Sequence, residues 1–207
     1  MFITFEGIDG SGKSTQAKLL ADVLTKSGFQ VILTRQPGGT KIGQSIRKIL
    51  LDHRNFELIP TAEILLFIAD RIQHLQEIII PALQLGKIVI CDRYHDSTLA
   101  YQCGGRKIDM SYLDSIKKRF IINPDLTLWL DISIKESKIR CLRRLNKNKL
   151  GCRIESEKDD FFIRVRDAYR SMQYKKFATF IRICPQKTIE SVRQEILNIV
   201  LNRMKLF

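Results

Sequence analysis

The sequence predicts an α/β fold, a five-stranded parallel sheet with helices on both faces, and three observations carry that prediction. Short apolar runs bounded by turn residues alternate with helix-period stretches along the chain. The first run opens directly into a glycine-rich loop, and that loop is followed by a helical pattern. The 207 residues, 44% hydrophobic, contain neither an internal repeat nor a low-complexity linker, which fits a single domain over residues 1–207.

Phe2 to Phe5 is the first predicted strand, and Val31 to Leu33, Ile88 to Cys91, Leu126 to Leu130 and Phe180 to Ile183 are the others. Their alternation with helices argues for parallel pairing, with ligands held at the carboxyl ends of the strands. From Ser14 to Lys26, Ala17, Leu20, Ala21 and Leu24 fall on one helical face, and Ser27-Gly28 supplies the stop. Pro60-Thr61 opens a longer helix in which Ile64, Leu65, Ile68, Ile72, Leu75 and Ile79 recur at helical spacing, and Leu83 to Gly86 closes it. The polar, lysine-rich segment Asn146 to Cys152, with Gly151, predicts a mobile loop.

A formal charge of +13 is what a nucleic-acid binder carries. A protein that handles two phosphorylated nucleotides also needs positive potential, and excess surface lysine is often only a solvated face, so nucleic acid is not the favoured partner. No stretch approaches 18 consecutive apolar residues, and the apolar start runs straight into the glycine-rich loop. The expectation is a cytoplasmic protein with no membrane span. The five cysteines are scattered and show no C-x-x-C pair, which predicts free thiols and no zinc site.

Gly7-Ile8-Asp9-Gly10-Ser11-Gly12-Lys13-Ser14, followed by Thr15, has the G-x-x-x-x-G-K-S spacing of a phosphate cradle in its required strand-then-helix setting. Its backbone N–H groups and the following helix N-terminus would surround the phosphates of a nucleoside triphosphate, with Lys13 on the β/γ-phosphates and the Ser14 hydroxyl on Mg²⁺. The third strand ends in Asp92-Arg93-Tyr94, where the carboxylate suits the Mg²⁺ shell and the guanidinium a phosphate; either also fits a structural ion pair. Arg35 sits at the end of the second strand, and Pro37-Gly38-Gly39 turns the chain there. Phe67 and Arg71, four residues apart, share a helix face and could stack on and hydrogen-bond a flat heterocycle. Thr98, Tyr101 and Gln102 follow on what should be a short helix facing the same cleft.

The segments FEGIDGSGKST, TRQPGGT, LLFIADR, DRYHDSTLAYQ, PDLTLWLD and CRIE, in that order, resemble bacterial thymidylate kinases from Phe2 to about Tyr174. The resemblance implies a P-loop nucleoside monophosphate kinase fold with a short mobile lid, approximately residues 143–155, and a homodimer formed through helices. It also implies Mg²⁺-dependent transfer of the ATP γ-phosphoryl group to thymidine 5′-monophosphate (dTMP). Phe67 would stack on thymine and Arg71 would hydrogen-bond it. Asp9, Arg35, Arg47 and Arg93 would hold the monophosphate, Thr98, Tyr101 and Gln102 the base and sugar, and Asp92 the metal. Some members carry an arginine in the phosphate loop, where this chain has Gly10 and Ser11. The lid is therefore expected to close over ATP, with Arg143 on the nucleotide and Arg153 as the catalytic arginine beside Lys13 and Arg93. Three positions depart from the family pattern: Gln36 replaces the usual Glu, Asp70 a small or polar residue, and Cys152 an Asp. The alternatives are a uridylate or cytidylate kinase, because the phosphate loop does not read the base, and a nucleotide switch or nucleic-acid-dependent ATPase. No N-K-x-D guanine-reading motif occurs.

Overall fold

The structure, a computed structural model, describes residues 1–109, 111, 121–145, 152–173, 178–182 and 187–205. Five strands, β1 (Phe2–Glu6), β2 (Val31–Arg35), β3 (Ile88–Asp92), β4 (Leu126–Asp131) and β5 (Ala178–Arg182), join in one sheet of order β2-β3-β1-β4-β5. All pairings are parallel: Ile3 lies opposite Ile90 on one side and Leu126 on the other. β1 and β4 are buried along their whole length, as strands covered on both faces must be, which is why they read as nearly continuous apolar runs. At the edge, β2 is only half-buried and leaves Leu33 exposed.

Helices α1 (Lys13–Lys26) and α2 (Lys41–Leu51) flank β2 in sequence. The α1 face carrying Ala17, Leu20, Ala21 and Leu24 packs into the main core with Phe5, Ile90, Leu128 and Leu130. The long helix expected after Pro60 is interrupted. α3 (Pro60–His74) widens into a π turn over Leu75–Ile79 before the short α4 (Ile80–Gln84). Pro81 has no N–H and its ring would collide with the carbonyl four residues back, so the ladder opens one turn before it. Leu65, assigned by periodicity to the apolar face, is exposed.

After β3, α5 (His95–Thr98) runs into a second π segment, Leu99–Gly105. α6 (Ile134–Leu145) follows β4, a 3₁₀ turn spans Arg153–Ser156, and α7 (Asp159–Met172) packs on the second π segment. α8 (Ile189–Met204) closes the fold against α1. Of the expected mobile loop, residues 146–151 lie outside the described residues, and the flanking Arg143 and Arg144 belong to the last turn of α6. Cys91, Cys103, Cys141 and Cys152 are free, and Cys184 lies outside the described residues.

Candidate active site

The carboxyl ends of β1, β2 and β3 open onto a cleft of about 670 Å³. Its donor end is the loop from Gly7 to Gly12. Gly7 and Gly10 have φ of 137° and 75°; a Cβ on Gly7 would run into the Leu130 carbonyl, and one on Gly10 would lie 2.9 Å from the Ser137 carbonyl. Only glycine keeps this backbone and this close approach. α1 begins at Gly12 with no side-chain cap, so its first N–H groups are left for an anion. Lys13 folds back over the loop, donating to the Ile8 carbonyl at 2.8 Å and to Ser11 Oγ at 3.3 Å. Burial, with Arg93 nearby, pushes its ammonium down to about 8 despite the acidic groups around it.

Beside the loop, Ser14 Oγ donates to Asp92 Oδ2, while Asp92 Oδ1 is buried with no hydrogen-bond partner. Next to it Arg93 adopts φ 72°, a conformation rare for a residue with a side chain. Its guanidinium donates to the Gly7 carbonyl at 2.9 Å, Asp9 Oδ1 at 2.7 Å and Tyr101 Oη at 3.2 Å. Burial pushes the Asp9 carboxyl up, but Arg93 and Lys13 outweigh it and hold the group at about 2. Arg35 and Arg47 also line the cleft, and Arg47 donates to the Pro37 carbonyl at 2.8 Å. Burial and the neighbouring Arg35 and Arg93 push the Arg47 guanidinium below its usual value. Arg35, Arg47 and Arg93 thus bring positive charge together along one stretch of the cleft.

Phe67, Arg71, Thr98, Tyr101 and Gln102 also line the cleft. Arg71, only 3% exposed, donates Nε to Gln36 Oε1 (3.0 Å) and Nη2 to the Tyr94 carbonyl (3.0 Å) and Thr98 Oγ1 (2.7 Å). Its Nη1 is buried without a partner. Because Gln36 accepts from Arg71 through its oxygen, its nitrogen donates to His74 Nδ1 (2.9 Å), and His74 Nε2 then donates to Thr34 Oγ1 (2.7 Å). Burial and the Arg71 charge push His74 down to about 4, so it stays neutral. The usual carboxylate at position 36 is thus replaced by an uncharged chain of hydrogen bonds. Asp70, the second departure, accepts from the Gly38 N–H at 2.8 Å and braces the turn after β2.

Arg153 stands apart from its expected position. It does not line the cleft; it is buried, with Nη2 2.5 Å from Glu63 Oε2 and Nε donating to the Leu50 carbonyl at 3.2 Å. Glu63 also receives Arg106 (Nη2 3.2 Å) and Gln102 Nε2 (2.8 Å). Burial pushes Glu63 up, but these donors outweigh it and keep its carboxyl below the usual range. Arg143 is exposed on α6 and outside the cleft lining, whereas Arg140 and Arg144, one turn apart on that helix, do line it. Arg144 pairs with Glu155 and Arg140 with Glu136 (2.7 Å). The helical period alone could have picked out Arg140 and Arg144 as sharing a face. Glu6 was also missed: buried at the end of β1, it accepts from the Tyr94 N–H (2.8 Å), Ser97 Oγ (2.6 Å) and Tyr169 Oη (3.0 Å) and so holds the turn carrying Arg93. Its only signal was a carboxylate ending an apolar run.

A glycine-rich loop running into a helix N-terminus, three arginines and a pocket lined by Phe67 and Arg71, gathered at the carboxyl ends of a parallel sheet, are the layout of a P-loop nucleoside monophosphate kinase. A family model described as thymidylate kinase matches residues 5–196. The thymidylate kinase of Halothermothrix orenii is 43% identical over 95% of this chain and 94% of its own. That of Pelotomaculum thermopropionicum is 45% identical over 83% of this chain and 79% of its own. The crystal structure of the thymidylate kinase from Ehrlichia chaffeensis superposes with a TM-score of 0.76 at 37% identity, covering 97% of this chain and 98% of that one. The chain belongs to the thymidylate kinase family.

Proposed function

We propose that this protein transfers the γ-phosphoryl group of ATP to dTMP, giving ADP and thymidine 5′-diphosphate. The observation that carries the reading is the buried, unpartnered Nη1 of Arg71, a residue that lines the same cleft as the phosphate loop. A donor there calls for an acceptor, and the C4 carbonyl of thymine supplies one where cytosine carries an amine. Phe67 would stack on the ring. Tyr101, held between Asp9 (3.0 Å) and Arg93, would crowd a 2′-hydroxyl.

The acceptor phosphate is already ionised at neutral pH, so the protein's task is alignment and charge compensation rather than proton removal. Arg35, Arg47 and Arg93 would hold the monophosphate. Lys13 and the loop amides would hold the donor phosphates, relinquishing the present contacts of Lys13 to the Ile8 carbonyl and Ser11. Ser14 Oγ and the unpartnered Asp92 Oδ1 are hard oxygen donors, the type that suits Mg²⁺, with phosphate oxygens and water completing its shell. The ion would neutralise charge on the phosphates. Arg144, with Arg140, is the better candidate for the charge expected from the lid, since both line the cleft and Arg153 does not. Closure of a lid over 143–155 would then carry the end of α6 toward ATP.

The high positive charge is consistent with two phosphorylated ligands, and among the described residues no helix is long and apolar enough to cross a membrane. A cytoplasmic location belongs to the same proposal. So does a homodimer, which would cover Ile42, Ile49 and Leu65, exposed on α2 and α3; sedimentation checks it. The test of the reaction is ADP release measured across a panel of monophosphate acceptors. Turnover should require the acceptor, favour dTMP and show no stimulation by DNA or RNA. Equal kcat/KM for uridylate and dTMP would overturn the assignment of the base.

A further inference from the structure

We infer that Glu63 is a positioning residue that fixes the amide orientation of Gln102, and that this makes the base pocket accept a ring N–H and reject a ring nitrogen lone pair. The inference rests on the reading of the cleft as a dTMP site. Glu63 is 1% exposed, lies behind the cleft wall rather than in it, and keeps its charge through Arg106 and Arg153. A carboxylate only accepts hydrogen bonds, so the Gln102 group 2.8 Å from Glu63 Oε1 must be its NH₂. The end left for the cleft, which Gln102 lines, is the oxygen. Beside the Arg71 donor, that oxygen completes a donor-acceptor edge. Thymine presents a carbonyl at C4 and an N–H at N3, which match it; cytosine presents an amine and a lone pair, which oppose it at both positions.

A glutamine at 63 would reverse the arrangement. Arg153 and Arg106 Nη2 donate to Oε2, at 2.5 and 3.2 Å, while Oε1 takes from the arginines only Arg106 Nε at 3.3 Å, so the new side chain keeps its oxygen on the side with two donors and the shorter contact and turns its NH₂ toward Gln102. Gln102 would then rotate, present its own NH₂ to the cleft and face the N3–H of thymine with another donor.

The experiment compares kcat/KM for dTMP with that for 5-methyl-2′-deoxycytidine 5′-monophosphate, which keeps the methyl group and changes only the base edge. The natural enzyme should prefer dTMP by about a hundredfold or more, the scale expected when buried polar groups are left mismatched. Glu63→Gln should reduce that ratio at least tenfold, while Glu63→Asp, still only an acceptor, should retain it even at lower overall activity. If Glu63→Gln alone does not fold, the ratio is read in Glu63→Gln/Arg106→Met, which removes the uncompensated cation and keeps Arg153 on the Oε2 side. A ratio unchanged in the glutamine variant, with both substrates slowed alike, overturns the inference and leaves Glu63 a structural residue. A natural enzyme with no preference, or a Gln102→Leu variant with the natural preference, instead overturns the reading of Gln102 as a base contact, and the inference with it.

Discussion

Arg93 and Arg153 are both low-exposure arginines paired with carboxylates, yet they sit in different circumstances. Arg93 bridges Asp9, a backbone carbonyl and Tyr101 at the cleft wall, with Arg47 near enough to be perturbed by its charge. Arg153 and Arg106 share Glu63 behind the wall, and Arg106 reaches on to Glu157, so two cations meet two anions. The first cluster gathers Lys13 and Arg47 around the Arg93–Asp9 pair; the second balances two cations with two anions. Neighbouring charge, rather than burial, is what distinguishes the two arginines.

The largest expected effect tests the cleft side. Lys13→Ala should lower kcat by about 10³-fold, the scale for removing a charge-stabilising donor at the reacting phosphates, with thermal stability nearly unchanged. Steady-state kinetics beside a melting curve checks both parts. Next, Arg144→Ala should lower kcat at least tenfold with little change in dTMP affinity. Arg153→Ala should instead cost about 3 kcal/mol of stability, because it leaves part of the Glu63 charge buried and uncompensated. Denaturant titration reads the second effect; a stable Arg153→Ala enzyme with a collapsed kcat would reverse the two roles.

Acid should weaken the molecule through His74. Folding holds its pKa near 4, against about 6.5 in an unfolded chain, so between those values the unfolded state binds more protons. Its contribution is complete above pH 6.5 and is lost as pH falls toward 4, by about 2–3 kcal/mol, and His74→Gln should flatten that part of the stability profile. The smallest effect lies on the alkaline side. With Lys13 near 8 in the free enzyme, kcat/KM for ATP should fall as pH rises through that value, since the deprotonated amine no longer attracts phosphate. A flat profile to pH 9.5 would show that Lys13 keeps its proton.

The phosphate loop was readable because its geometry is local: eight consecutive residues set the turns, the lysine and the helix start, and no distant partner is needed. Phe67 and Arg71 were readable as a shared helix face, though not that Gln36 and Thr98 would hold Arg71. Arg153 depends instead on a distant partner. Its partner Glu63 is 90 positions away, and nothing in the segment CRIE distinguishes an arginine that pairs backward into the core from one that reaches out to a ligand.

The sequence by itself determined the alternation of strands and helices, the burial of the central strands and the glycine turns and helix start of the first fifteen residues, because periodicity and short-range backbone geometry are carried by neighbouring residues. Tertiary structure decided the remainder. It selected which arginines of a basic run face the cleft, opened the helix after His74 ahead of Pro81, and closed the Glu63 cluster. Each depends on what lies opposite in space, where hydrogen-bond donors, acceptors and charges must be matched across gaps that no local pattern records.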